Sequence, residues 1–347
     1  MAGATTAIYE PISRKNVLIN GDMRVSQRAT FETFPAAADN TYTTVDRWKT
    51  LMSAHFNPYP STAYAPTAGN GSAYALGAVS AGTGSKWGYI QILEAADVYA
   101  LRGQSVSVQA KIKATAGLSD IRMALVSWTG TADGATADPI SAWNSAGTNP
   151  TLIADWAYIN TPANLSVLTT YATYKLENQT VPTGATNLAV FIWSDDTTHT
   201  ASADFFFFTD VQLEVGTICT EFERRPYTEE LALCQRYYFK TFREGTAPAQ
   251  NTAVYNGAVH YVNWIAGVFT TSQQLRFPQV MRTAPTLTYY NPGAANNKWR
   301  NATVGADSGT PSALRTSAKA LSIINVQVAG DTVSSEICVH VTADAEL

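Results

Sequence analysis

A chain of 347 residues with a net charge of −4 is long enough for two domains, each with its own core, and has no global positive field to attract nucleic acid or anionic membrane. Charged residues are only 14% of it, while Thr, Ser, Ala, Gly and Asn are abundant, a balance that suits a β-rich, loop-rich surface protein. No basic run of the kind that binds phosphate occurs, so neither a nucleic-acid partner nor membrane insertion is expected.

Residues 1–15 show little periodicity and read as an N-terminal arm. They lack the basic flank and apolar core of a secretory signal. Asn16 to Val25 alternates weakly around an N-G-D turn, and the Asp46-Arg47-Trp48 triplet predicts a buried Trp48 beside a local Asp–Arg pair. Residues 53–72 read as a surface loop rich in Pro, Ala, Ser, Thr and Gly. Strands are predicted over Trp87–Leu93, Val106–Ile112, Ile121–Leu125, Asn164–Leu176 and Leu188–Ile192. The clearest alternation sets Val106, Val108, Ala110 and Ile112 against Ser107, Gln109, Lys111 and Lys113. Short strands with turn signals between them, and almost no helical period, predict an all-β jelly-roll or antiparallel sandwich.

Between Trp128 and Thr161 the alternation fails, yet the stretch carries Trp128, Trp143, Trp156 and Tyr158. A long segment with four large aromatics either packs down as an Ω-loop or presents an aromatic platform. From Phe205 to Val215 period two returns, with Phe205, Phe207, Val211, Leu213 and Val215 assigned to one face and Asp210, Gln212 and Glu214 to the other. Gly216 ends that strand. A connector helix is predicted over 226–242, N-capped by Thr228 with Glu229 and Glu230 in its first turn. The division is thus an arm over 1–15, a jelly roll over 16–225, the connector over 226–242 and a smaller β-sandwich over 243–347. Strands in this last unit are predicted near Ala258–Ile265, Leu275–Val280, Thr286–Tyr290, Leu321–Val328 and Glu336–Thr342, with a turn at Ala329-Gly330-Asp331.

Chemistry-bearing constellations are few. His55, His199, His260 and His340 are scattered, without metal-ligand spacing. Cys219, Cys234 and Cys338 form no CxxC pair; they read as reduced, buried thiols, with a Cys219–Cys234 bridge as the alternative. There is no G-x-S-x-G elbow, P-loop or dinucleotide fingerprint. The adjacent pair Asp195–Asp196 reads as a solvated loop tip rather than as two glycosidase carboxylates. No enzymatic activity is expected. Sugar binding needs aromatic faces and a few polar groups, and two places offer both: Trp143, Trp156 and Tyr158, and the C-terminal group of Tyr289, Tyr290, Trp299 and Arg300.

Three segments carry a resemblance. D-V-Q-L-E-V-G followed by E-F-E-R-R-P-Y-T-E-E-L-A-L-C-Q-R-Y-Y resembles the end of the N-terminal jelly roll of bacteriophage tail-fibre and related virion surface proteins. N-V-L-I-N-G-D-M-R-V-S-Q-R with the later D-R-W is similar to their opening, and T-A-D-A-E-L to their last residues. The resemblance is specific over roughly the first 240 residues and looser beyond. It implies a structural virion protein, a tail fibre or surface spike, assembled in the host cytoplasm. A homotrimer with other tail or capsid proteins as partners follows from it, and so does contact with host cell-surface polysaccharide. A carbohydrate-binding adhesin and a capsid decoration protein are the alternatives. Jelly-roll carbohydrate-binding modules, which the first domain is similar to, can use an Asp on the terminal strand for a structural calcium ion. That implies Asp210 as a ligand, with Asp22 or Asp46 assisting; the alternative is a carboxylate bonded to neighbouring strands.

Overall fold

Short alternating strands cannot bury an apolar face alone, so they are stable here only as two sheets closed over one core. The structure is a computed structural model that describes residues 14–33, 40–42, 44–53, 56–80, 84–118, 120–135, 138–196, 204–262, 270–326 and 335–347. In chain order the first unit contains β1 (Lys49–Met52), β2 (Phe56–Ser61), β3 (Ala75–Ser80), β4 (Trp87–Leu93), α1 (Ala95–Tyr99), β5 (Ser105–Ala114) and β6 (Ile121–Trp128). It continues with β7 (Ile140–Ala142), β8 (Thr151–Leu152), β9 (Trp156–Tyr158), β10 (Ala172–Thr180), β11 (Asn187–Ser194) and β12 (Phe205–Val215).

These strands form two antiparallel five-stranded sheets, ordered β1-β4-β11-β6-β9 and β10-β5-β12-β3-β2, with β7 and β8 as a separate hairpin. Every second residue points inward. Tyr89, Met123, Leu125, Val190 and Ile192 of the first sheet meet Val106, Val108, Ile112, Phe206, Phe208 and Leu213 of the second, all buried. The other face of the first sheet is covered too: Ile90, Ile92, Val126, Phe191 and Trp193 lie under Trp128, Trp156 and the half-buried Trp143 and Tyr158. The aromatic segment after β6 therefore packs down as a lid on that sheet. This explains why Leu188–Trp193 is apolar at every position: both of its faces are dry.

The terminal strand corrects one expectation. Phe206 and Phe208 face the inter-sheet core, whereas Phe207 points outward to Tyr59 and Tyr64. After the register shift between Thr209 and Gln212, Val211 and Leu213 face the core instead. Asp210 sits in this bulge with φ 49°, and the extra residue inverts the parity. A strict period of two joined side chains that the bulge places on opposite faces. Val215, assigned to the same face, is exposed.

The connector is shorter than predicted: α2 spans Tyr227–Gln235, and β13 begins at Tyr238 (Tyr238–Lys240). Thr228 does not cap it, since the helix starts from Pro226 with no side-chain cap. Beyond it lie β14 (Val259–Val262), β15 (Thr270–Arg276), β16 (Thr286–Tyr290), β17 (Arg300–Asn301), β18 (Ala306–Asp307), β19 (Ser312–Leu314), β20 (Ala320–Val326) and β21 (Glu336–Asp344). The long β21 is the spine, pairing with β13, β14, β16 and β17. A three-stranded sheet, β15-β20-β19, completes this second sandwich around Trp299, Leu321, Ile323, Val339 and Val341. The strand predicted at Leu275–Val280 ends earlier, at Arg276 before Pro278. The arm up to residue 13, the Ala329-Gly330-Asp331 turn, His55, His199 and the stretch from Asn263 to Ile265 lie outside the described residues.

The segments that carry the resemblance converge where the two units meet. Asn20 of the N-G-D turn bonds Val25 and the carbonyl of Asp46 through its side chain, and its main-chain N–H donates to Glu230 of α2. Trp48 is fully buried and donates through Nε1 to the Asn20 carbonyl at 3.1 Å. The arginine beside it does not pair locally with Asp46. Arg47 reaches Glu346 near the C-terminus, donates to the Ile92 carbonyl at 2.7 Å and lies 3.5 Å over the Tyr237 ring. Arg28 lies 3.7 Å over Tyr238 and faces Asp344 at 3.1 Å, Glu346 at 3.4 Å and Asp46 at 3.6 Å. Burial pushes the Asp46 carboxyl up to about 6, against the pull of Arg28.

Two outcomes follow. Glu346→Gln leaves the buried Arg47 without its anion and lowers unfolding stability by about 3–5 kcal/mol, read by denaturant titration, whereas replacing Arg47 and Glu346 together by apolar side chains recovers much of the loss. In the second unit His340 is buried, stacked 3.8 Å from Phe242, with Nε2 donating to the Val254 carbonyl and Nδ1 accepting from Thr241 Oγ1, each at 2.9 Å. Burial lowers its pKa below the usual 6.5, so its contribution is intact above that value and is lost as pH falls. The stability difference between the wild-type chain and His340→Gln, followed by thermal melts, is constant above about pH 6.5 and shrinks as the pH falls below it.

Candidate functional site

The polar half of the β5 alternation makes the floor of an open cleft on the outer face of the second sheet. Gln109 and Lys111 of β5 stand beside Thr173 and Lys175 of β10, with Asp210 at the bulge of β12. One wall is the glycine-containing turn over 69–71, the other the segment Cys219–Arg224, and the cleft measures about 520 Å³. Gly71 is required in that wall: its φ is +146°, and a Cβ there would meet Pro66 Cγ at 2.8 Å and Asp210 Oδ2 at 3.1 Å.

Asp210 organises the cleft. Its carboxylate accepts from Ser72 Oγ at 2.5 Å and lies 3.4 Å from Arg224 and 3.8 Å from Lys111, while Arg224 also donates to Ser72 Oγ at 2.6 Å. Lys111 donates to the Asn70 carbonyl at 2.5 Å, fixing the glycine turn to the sheet. Asp22, one of the two carboxylates considered alongside Asp210 for calcium, pairs with Arg24. Cations of the chain thus supply the positive charge at both aspartates, and no group of three or more His, Cys, Asp or Glu suited to a metal occurs among the described residues. This arrangement does not fit calcium at Asp210, whose oxygens already face two basic side chains.

Toward β2 the same face becomes aromatic. The Tyr64 ring stacks on Phe207 with centroids 4.4 Å apart, and the Tyr171 hydroxyl donates to the Tyr64 carbonyl at 2.7 Å. Glu32 ties down the turn that carries Tyr64, accepting from Ser61 Oγ, Thr62 Oγ1 and the Ala63 N–H at 2.9–3.0 Å. Lys113 lies 5.3 Å from the Tyr64 centroid and 5.0 Å from that of Tyr171. Two half-buried tyrosines are thereby braced beside a row of hydrogen-bonding side chains, the combination that sugar recognition needs: apolar ring faces with a few placed polar groups.

The aromatics singled out from sequence lie elsewhere. Trp156 is buried against Trp128, Trp143 lies over Phe191, and Tyr158 donates to the Pro150 carbonyl at 2.9 Å. All three serve the lid on the first sheet. Trp299 is fully buried beside Tyr261, and Arg300 pairs with Asp307 at 3.6 Å, so no open platform forms there. The Asp195–Asp196 pair is not a solvated tip, since both residues are buried; Asp195 lies 4.0 Å from Arg122, and burial raises its pKa. The three cysteines are free and buried, without a Cys219–Cys234 bridge. Tyr64 was missed because it stands in the stretch 53–72 that reads as a surface loop, and Tyr171 because, although inside the strand predicted over Asn164–Leu176, nothing local places it beside Tyr64 and the polar row Gln109-Lys111-Lys113.

No protein-family model and no curated protein matches the chain. Among solved structures it is similar to the enzymatically active domain of tailspike protein 4 of bacteriophage CBA120, at 12% identity and a TM-score of 0.34, over 58% of this chain and 21% of that one. A family 61 carbohydrate-binding module in complex with β-1,4-galactotriose matches at 13% identity and a TM-score of 0.31, over 58% of this chain and all (100%) of its own. The C-terminal family 22 carbohydrate-binding module of Clostridium thermocellum Xyn10B matches at 14% identity and a TM-score of 0.31, over 54% and 99%. At these identities and scores the likeness carries no functional assignment.

The cleft chemistry predicts a simple separation. A calcium chelator leaves the thermal midpoint unchanged, whereas Asp210→Ala lowers unfolding stability by about 1–3 kcal/mol by stripping Ser72, Arg224 and Lys111 of their shared acceptor.

Proposed function

We propose that this is a non-enzymatic bacteriophage surface protein, a tail-fibre or spike component, whose N-terminal sandwich holds host-surface glycan in the cleft on the outer face of the second sheet. The single observation that carries the binding half is the open cleft floored by Gln109, Lys111 and Thr173, whose face continues at the edge of the same sheet to the braced Tyr64–Tyr171 pair. Sheet residues keep their positions better than loop residues, so a weak ligand meets groups that need little ordering. The virion half is supported by the sequence resemblance, whose motifs meet at the junction of the two units. In this reading the first sandwich binds and the second, built on β21, joins it to the particle.

The test is calorimetry of the full chain against polysaccharide extracted from host cells. Binding is expected, with Gln109→Ala and Thr173→Ala each weakening it about three- to tenfold, the scale of one neutral hydrogen bond, and Trp143→Ala having no effect. Binding that survives both cleft variants and fails in Trp143→Ala overturns the assignment of the site.

A further inference from the structure

The basic side chains of the outer face are not equivalent. Lys111 is held by the Asn70 carbonyl and Asp210, Arg224 by Ser72 and Asp210, and Lys175 lies 3.6 Å from Glu177. Lys113 differs. Its ammonium faces the Tyr64 and Tyr171 rings, no carboxylate lies within ion-pair distance of it among the described residues, and burial alone pulls its pKa down. The Glu32 carboxylate, on the same side of the molecule, is taken up by Ser61, Thr62 and Ala63.

A half-buried ammonium without an anion is an unfavourable arrangement that two ring faces offset only in part. An anionic group arriving there gains a charge-assisted hydrogen bond in a site where water screens little. Lys113 stands one strand repeat from Lys111 on the same face of β5, about 7 Å along the strand, so a group on it is continuous with the cleft. The rings beside it are fixed, Tyr64 by its stack on Phe207 and Tyr171 through its hydroxyl.

Resting on the glycan-binding reading above, we propose that the ligand is an acidic glycan, a polymer whose repeat carries a carboxylate or phosphate. Lys113 receives the anion, a neighbouring sugar ring lies against Tyr171, and hydroxyls reach Thr173 and Gln109. This makes Lys113 the determinant of charge preference rather than of binding as such.

The experiment uses the full chain and three probes in calorimetry at low salt: a uronate oligosaccharide, its methyl-esterified neutral form, and a phosphate-bearing oligosaccharide. At least one anionic probe is expected to bind about tenfold more tightly than the neutral one, with the preference shrinking as salt is raised. Lys113→Met is expected to abolish the preference while leaving neutral binding and the thermal midpoint unchanged, and Lys113→Arg to retain it. The anionic probe that gains identifies the group. Equal binding of acidic and neutral probes, insensitive to Lys113→Met, overturns this inference and leaves the glycan-binding reading standing. Failure of all three probes and of the host polysaccharide removes both. Inorganic phosphate is titrated as a control beside these three probes, and its binding at Lys113 as tightly as the phosphorylated sugar reduces the site to a simple ion site and also overturns the inference.

Discussion

Two buried guanidinium groups, Arg28 and Arg47, hold the molecule together as one object. Each lies over a tyrosine ring of the Tyr237-Tyr238 pair, and each turns its charge to carboxylates at the far end of the chain, Asp344 and Glu346. A planar cation that stacks and bonds at once suits such a place better than an ammonium. Gln27 adds a bond to the Tyr238 carbonyl at 2.9 Å, and Arg282 reaches the Ala345 and Glu346 carbonyls, both at 2.7 Å. The last residue, Leu347, packs against the lidded face of the first sheet. The C-terminus is therefore a structural part of the N-terminal sandwich. Charges so deep are costly to desolvate, and they are offset by opposite charges and ring faces, although Arg28 Nη1, Arg47 Nε and Glu346 Oε1 make no hydrogen bond among the described residues.

This node brings together sequence segments that lie far apart along the chain. Asn20 of the N-G-D turn, Arg47 and Trp48 of the D-R-W triplet, Arg225, Glu230, Tyr237, Tyr238 and the terminal Asp344 and Glu346 are contact residues of one junction. Change in one is felt by the others. The second unit is tied to the first by its own spine, because β21 runs straight into those terminal residues.

Much of the fold was legible because it rests on alternation. The β5 and β11 patterns named the residues that enter the core, and the mixture of short strands and turns named the sandwich. What was hidden lay in breaks of that rule. One inserted residue at Asp210 inverted the face of the terminal strand. The aromatic segment after β6 was legible as dense but not as a lid, since its partners, Phe191 and Trp193, are strangers in sequence. Arg47 found its anion some three hundred residues away, at Glu346, where local pairing with Asp46 was the natural expectation. The cleft was half visible: Gln109, Lys111 and Lys113 stood out as a polar face, but nothing local announces that Tyr64 and Tyr171 meet beside them. Of the tryptophans chosen as sugar candidates, Trp156 and Trp299 are buried, because burial of a tryptophan gains more than its exposure, and Trp143 is half-buried over Phe191.

The division of labour is physical. Among the described residues the first sheet is covered on both faces and serves as foundation, while the second keeps its outer face open, and the proposed recognition uses that open face. Hydrogen exchange of the full chain with and without host polysaccharide tests this most directly. The account predicts new protection in the turn at 66–72, in β10 and in the 219–224 segment, with none in the lid over 140–158. Protection confined to the lid or to the second unit, or none anywhere at saturating polysaccharide, contradicts it.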